Sequence, residues 1–396
     1  MRGSLGALAV GLFVLAALWV PINHRPVPRG YFETTWFEGF QPRGLMGTLA
    51  AALGLTPRQF VELNLIGEVI FLFLLLLALV RAGEGVAAAP TRRWLGLVLL
   101  AILLSFHQVL FFGHFLSGFV DIHSAALTLG AVHLLAFGTG PPRPLALGLA
   151  AALSGLSLLN HERSVLDAAV LATWLWLRFG PRVAAGYFAP VAACLALFFV
   201  PFSSQAQMGM SLPQYWANLE KVTLYVRQES GSLVGIFYGG GFAWLLWAYG
   251  ASRLLRRQES GGSRLKAAAF VLVSLAACLA PLLVAHDTSR LVGLMWLSTL
   301  LMLTTLRLPR QLARSRGLFR FVTVLAVLQL ALPPLFIYKF DAVPLNCYAQ
   351  NMVRTVCAQE PGEEWTALGG WLRLYEDGGH RPWYQKRCLI PRLFRQ

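Results

Sequence analysis

The chain has 396 residues, of which 57% are hydrophobic and 13% charged; an ordinary soluble domain carries roughly 25% charge. Mean hydropathy is +0.60, which excludes a globular cytosolic protein and excludes disorder, since disorder requires low hydrophobicity. The net charge of +15 does not call for a nucleic-acid partner, and none is expected: in a membrane protein, excess arginine collects in cytoplasmic loops and sets topology.

Apolar runs of about 20 residues recur along the chain and are continuous, whereas a membrane β-barrel would alternate apolar and polar residues. The expected fold is therefore an all-α polytopic membrane protein. Its eleven spans are expected near 4–22, 60–80, 94–112, 121–138, 145–160, 165–178, 184–202, 233–251, 267–285, 291–306 and 321–338. The first resembles a signal peptide, with Arg2 before an apolar stretch. Trp19-Val20-Pro21-Ile22 lacks the small-x-small cleavage pattern, so an uncleaved anchor is expected. Positions 44–55 and the stretch Leu212, Tyr215, Trp216, Leu219, Val222, Val226 follow helical spacing outside the spans, as interfacial helices would.

With the N-terminus inside, the cytoplasmic segments hold 17 of the Lys and Arg residues, and the outer loops before the C-terminal tail hold eight. The positive-inside rule then gives N-in and C-out. Residues 1–338 form the transmembrane domain, and 339–396 form a small outer cap. In an oxidising compartment such as the outer side of a bacterial inner membrane, one disulfide is plausible among Cys347, Cys357 and Cys388, for example Cys347–Cys357 across a short loop. Cys194 and Cys278 fall within spans and are expected to be inert packing residues. Gly239-Gly240-Gly241 is read as close helix packing, since no Lys-Ser/Thr follows as in a phosphate loop.

The polar residues are asymmetric. Cytoplasmic loops offer Arg, Gly and Pro. The outer loops carry Glu33, Glu38 and Arg43; then His107, His114, Asp121 and His123; then His161, Glu162 and Arg163; then His286, Asp287 and Arg290. The last two of these groups sit in loops of a few residues, so their charges lie at or just inside the membrane boundary, where an ionisable group is costly and marks a functional candidate. Structural readings stand beside these. Arg163 could pair Asp167 one turn on, Asp287 could pair Arg290, and Glu68 with Asn64 one turn before it could be a buried hydrogen-bonded pair. His107, His114 and Asp121 are spaced by sevens. Seven residues rise about 10.5 Å on a helix, too far to share one ion. Asp121 and His123 could do so from a loop with help from Glu33 or Glu38, and Mg²⁺ or Mn²⁺ would suit carboxylates, though nothing in the pattern demands a metal.

Carboxylates, arginines and histidines above a bundle with lipid access suit a substrate with a phosphate head and a long apolar tail. Arginine clamps phosphate through a bidentate fork, and a carboxylate can take the proton of an acceptor hydroxyl as the phosphate leaves. The layout resembles the GT-C superfamily of polytopic glycosyltransferases: N-in, acids (Glu33, Glu38) in the first outer loop, an amphipathic stretch after it, and another acid (Asp121) in the second outer loop. The resemblance implies that Glu33 or Glu38 is the catalytic base and that Asp121 assists with metal or acceptor. The chain departs from the family pattern in having no paired acids in the first loop, Glu in place of the usual Asp, and no large outer C-terminal domain.

The substrate-binding candidates are Arg43, His123, His161, Glu162, Arg163, His286, Asp287 and Arg290, with Arg163 and Arg290 as phosphate clamps. The expected partners are a polyprenyl-phosphate-linked sugar, membrane lipid and a glycan or lipid acceptor. Two other functions remain open. A lipid-linked polysaccharide polymerase or ligase would use Arg and His at the same face, and a transporter or flippase would show repeats or broken helices.

Overall fold

The computed structural model describes residues 35–37, 44–84, 90–105, 121–138, 140–161, 163–199, 231–258, 260–280, 293, 295–332, 335–338 and 341–344. Glu33, Glu38, Arg43, Glu162, His286, Asp287 and Arg290 lie outside them. So do the first expected span, His107, His114, the amphipathic stretch at 212–226 and the tail cysteines.

Apart from one hairpin, the described chain is helical: α1 Gly44–Ala52, α2 Pro57–Gly83, α3 Pro90–Ser105, α4 Asp121–Ala136, α5 Pro144–Asn160, α6 Ser164–Phe179, α7 Pro181–Phe199, α8 Gly231–Gly240, α9 Ala243–Arg256, α10 Gly261–Leu279, α11 Met295–Thr305, α12 Leu308–Arg314 and α13 Arg316–Ala331. Local chemistry sets many starts. Pro57, Pro144 and Pro181 sit in first turns, where a missing N–H costs nothing. Thr56 and Gln59 form a reciprocal capping box at α2. Ser260 and Ser315 accept from Ser263 and Leu318 at the starts of α10 and α13.

Two helices contain segments long and apolar enough to cross a membrane, Ile66–Gly83 in α2 and Gly261–Leu279 as α10; α4, α5 and α11 are shorter apolar helices. The core is one continuous cluster running through nearly all of them. At its centre is α11, whose residues from Met295 to Leu303 are all buried, as expected of a helix apolar on every side. It is pinned by Trp174 of α6 donating to Thr305 (2.9 Å), by Trp247 of α9 donating to Ser298 (3.0 Å), and by an edge-to-face contact between Trp296 and Phe71 of α2. Around it, α4 packs between α2 and α5, α7 lies against α5 and α6, α10 against α6, and α13 against α3. Contacts fall between Gly67 and His123 near one end and between Arg81 and His133 near the other, so α2 and α4 run parallel.

Two expected spans are corrected. The run at 233–251 is not one helix but α8 and α9, interrupted at Gly241, whose φ is +55°. A left-handed turn inside an apolar bundle frees backbone groups that must find partners. Gln329 of α13 supplies one, accepting from Phe242 N–H at 2.7 Å, and Trp244 supplies another by donating to Ile236 O at 2.8 Å. A Cβ at Gly241 would overlap the Gln329 amide, and one at Gly240 would overlap Met295, so the glycines allow both the turn and the close packing. The run at 321–338 ends as helix at Ala331. Leu335–Tyr338, with the strand formers Phe336, Ile337 and Tyr338, then pairs antiparallel with Asp341–Pro344 in a hairpin that straddles the expected domain boundary at 338.

Candidate functional site at the Asp121 end of the bundle

The site is set by the packing of α4 against α5. Both are rich in small residues, which lets the backbones approach closely. Ser124 Oγ donates to Ser157 O (3.3 Å), and Ser157 Oγ lies 3.0 Å from Ser124 O. Thr128 Oγ1 is 3.3 Å and Ser164 Oγ 2.9 Å from Ser157 Oγ, and Asn160 Nδ2 donates to Ser124 Oγ at 2.8 Å. All five of these residues are buried. A buried network of this kind has one register only, because a slip would strand its donors and acceptors.

That register brings the first residue of α4 level with the turn joining α5 to α6. Asp121 opens α4, where the positive end of the helix dipole favours a carboxylate. His161 closes α5 in extended conformation and Arg163 precedes α6, so both side chains project from one tight turn. Arg163 Nη1 lies 3.3 Å from Asp121 Oδ1, and His161 Nε2 lies 3.7 Å from the same oxygen. The pair is sheltered, with side-chain exposures of 12% for Arg163 and 13% for Asp121. The Arg163 backbone N–H donates to His161 Nδ1 (3.2 Å). A neutral imidazole that accepts at Nδ1 carries its hydrogen on Nε2, the nitrogen facing Asp121.

Asp121, His161 and Arg163 are therefore brought together from the start of α4 and from the turn between α5 and α6. The pairing of Arg163 with Asp167, read from their one-turn spacing, is not what forms: the guanidinium reaches across to α4. Asp167 is nonetheless buried in the first turn of α6, within electrostatic reach of both Arg163 and Asp121.

His123 goes elsewhere. It stands two residues beyond Asp121, about 200° around the helix, and packs on α2, where a Cβ at Gly67 would come within 2.8 Å of its ring. The neighbouring Glu68 is buried at the same level; the side chain of Asn64 lies outside the described residues. Asp121 and His123 thus occupy a helical turn rather than a loop and leave it in opposite directions. Among the described residues no three His, Cys, Asp or Glu side chains gather as a metal site; Glu33 and Glu38, the other carboxylates of the expected site, lie outside them.

The other end of α4 is built differently. Arg81 donates to His133 Nδ1 (3.2 Å), and His133 Nε2 donates to Leu74 O (2.7 Å), bridging α2 and α4. Arg178 donates to Ala136 O at 3.1 Å, capping the last carbonyls of α4, and stacks 5.0 Å from the centroids of Trp174 and Phe179.

Reading the sequence by charge missed the Ser124–Ser157–Asn160–Ser164 network, because single serines among alanines and leucines carry no periodic signal. The Asn160-His161 step at the end of an apolar run was the available hint. Ser154, bonded to Tyr187 of α7 at 2.6 Å, extends the buried polar line further into the bundle. No protein-family model matches the chain, and neither a curated protein nor a solved structure matches it.

Proposed function

We propose that this chain is a multi-pass membrane glycosyltransferase of the GT-C type. In this reading it lies N-in and C-out in a bacterial inner membrane and moves a sugar from a polyprenyl-phosphate donor to a glycan or lipid acceptor at the outer face. The observation that carries the proposal is the Asp121–His161–Arg163 cluster. A carboxylate, an imidazole and a guanidinium meet at the level where the apolar segment of α2 begins, near Ile66. A lipid phosphate has its charge at that depth and its tail alongside the bundle.

The chemistry follows from those groups. The acceptor hydroxyl oxygen attacks the anomeric carbon of the sugar, and the bond from that carbon to the phosphate oxygen breaks with its electron pair going to the phosphate. Arg163, with five donors in a fixed fork, can take a phosphate oxygen in addition to Asp121. Arg43, His286, Asp287 and Arg290 would complete the binding of the head group. The hydroxyl proton goes to a carboxylate, Glu33 or Glu38 by the resemblance. Asp121 holds Arg163 and His161 in place and orients the acceptor.

The test is native mass spectrometry of the detergent-purified protein. A retained polyprenyl phosphate or its monosaccharide, lost on Arg163→Ala, supports transfer. Bulk phospholipid alone contradicts it. A retained lipid-linked oligosaccharide would instead support the polymerase, ligase or flippase reading. A transporter draws on one observation of its own, the interruption between α8 and α9, since discontinuous helices often line transport sites.

A further inference from the structure

Of the three groups in the Asp121 cluster, only the imidazole ordinarily changes charge near neutral pH, and the transfer chemistry gives His161 no step. Both of its ring nitrogens are turned to the cluster. Nδ1 accepts from the Arg163 backbone N–H at 3.2 Å, which fixes the turn from which the Arg163 side chain projects. Nε2 stands 3.7 Å from Asp121 Oδ1, the oxygen that the Arg163 guanidinium meets at 3.3 Å. The longer distance is beyond a neutral hydrogen bond, so with the ring neutral this oxygen belongs to the guanidinium.

A proton added at Nδ1 makes both ring nitrogens donors. The Arg163 N–H then faces an N–H instead of a lone pair, and the bond across the turn is lost. At the other nitrogen the charged ring is drawn to Asp121 and competes with Arg163 for Oδ1. One protonation thus loosens the turn that aims Arg163 and takes its partner away. The surrounding charges admit a second cation. From α4 the ring is faced by Asp121, and from α6 by Arg163, with Asp167 within electrostatic reach of both. On the α2 side of α4 stand His123 and, at its level, Glu68. α7 brings Tyr187, whose hydroxyl is held by Ser154 at 2.6 Å, and α10 brings Cys278 against α6. α1, which packs on α5, carries no ionisable side chain, and Glu162 lies outside the described residues. Asp121 and Asp167 against the single guanidinium of Arg163 leave room for an imidazolium. Solvent also reaches the cluster: the His161 side chain is 4% exposed, but Asp121 beside it keeps 13%.

We propose that His161 is a positioning residue that acts through Arg163. The neutral ring keeps the guanidinium on Asp121; the protonated ring takes Asp121 for itself and frees the full guanidinium fork for an anionic phosphate. The proton comes from solvent and returns to it, and no bond other than the ring N–H is made or broken. The switch rests on the geometry of the cluster. The choice of a lipid phosphate as its anion rests on the function proposed above.

The experiment uses the full chain in phosphatidylcholine nanodiscs, with farnesyl phosphate as the probe. Its dissociation constant is measured at about pH 8 and about pH 5.5, on either side of the ordinary histidine range. The parent is expected to gain roughly tenfold in affinity at the lower pH relative to His161→Asn, the order of one charge-assisted hydrogen bond. In that variant the amide oxygen can stand where Nδ1 stands and accept from the Arg163 N–H, but it takes no proton. It should therefore keep the weaker affinity at both pH values, and dividing by it cancels the titration of the probe itself. Asp121→Asn should bind tightly at both, because the guanidinium has lost its charged partner. Equal pH dependence in the parent and His161→Asn would overturn the proposal. Nitrogen NMR of the histidine- and arginine-labelled parent needs neither variant nor probe, the His161 ring being identified through its bond to the Arg163 amide. A hydrogen on Nε2 alone at the higher pH, and an imidazolium with a shifted Arg163 guanidinium signal at the lower, would support the switch. A ring that stays neutral, or a guanidinium signal that does not follow it, would overturn the switch. A ring and guanidinium that titrate together in a protein binding no farnesyl phosphate would support the switch and contradict the lipid-phosphate reading, so the two fail separately.

Discussion

The two ends of α4 meet the same physical problem, charge beside an apolar bundle, and solve it in different ways. At the C-terminal end, Arg81 and Arg178 spend their donors on His133 and on a main-chain carbonyl, with ring faces stacked beneath them. Each contact closes a helix end or joins two helices. At the N-terminal end, a guanidinium and an imidazole from the turn between α5 and α6 converge on one oxygen of the carboxylate that opens α4, Asp121 Oδ1. The first arrangement consists of cations satisfying an imidazole and a main-chain carbonyl and is explained by architecture. The second places both signs of charge and a titratable ring together, sheltered from solvent, where ionisable groups are expensive. Under the proposed function the Asp121 end performs the chemistry, while the contacts of Arg81 and Arg178 join and close helices.

Substitutions at the two ends should separate accordingly. The largest effect expected is on sugar transfer: Arg163→Gln or Asp121→Asn should lower the rate by roughly 10²- to 10³-fold, the scale seen when one charge-stabilising donor is removed from an active site. Transfer by purified protein in liposomes, with a polyprenyl-phosphate sugar as donor, would measure it.

Next comes the scaffold of the acidic end. Gly67→Ala would press a methyl group into the His123 ring and should cost about 1–3 kcal/mol, read as a lower unfolding temperature in detergent. Asn160→Leu removes the donor to Ser124 and should cost about 1–2 kcal/mol. It should also lower transfer, because the register that sets Asp121 against Arg163 is loosened. A stability loss without any change in transfer would break the link drawn between network and site.

The smallest effect is expected at the arginine end. Arg178→Gln loses the cap on α4 and should cost about 0.3–1 kcal/mol, with transfer close to that of the parent. A large loss of transfer there would erase the contrast.

Helix starts were legible where chemistry marks them. Proline at the start of α2, α5 and α7, the Thr56–Gln59 box and the serine caps of α10 and α13 mark starts that lie a few residues before the span boundaries read from hydropathy. A helix, α1, stands within the stretch expected over 44–55, and the helix starting at Asp121 begins at that residue. The break at Gly241 was not legible, because hydropathy runs unbroken across it and the group that stabilises it, Gln329, is 88 positions away in sequence. The end of α13 was missed for a related reason: Leu335-Phe336-Ile337-Tyr338 extends the apolar run but pairs as a strand. In the site, charge pattern identified Asp121, His161 and Arg163 as candidates. It could not say that Arg163 would choose Asp121 over Asp167, since spacing along one helix favours the local partner and only the α4–α5 register brings in the distant one.

The central claim is that the acidic end does the chemistry, and the most direct measurement compares two matched double variants in one transfer assay. Asp121→Asn with Arg163→Gln should abolish sugar transfer from polyprenyl phosphate while the protein keeps its parent unfolding temperature to within a few degrees. Arg81→Gln with Arg178→Gln should transfer at close to the parent rate. Equal activity in the two variants, or greater loss from the arginine end, would contradict the account.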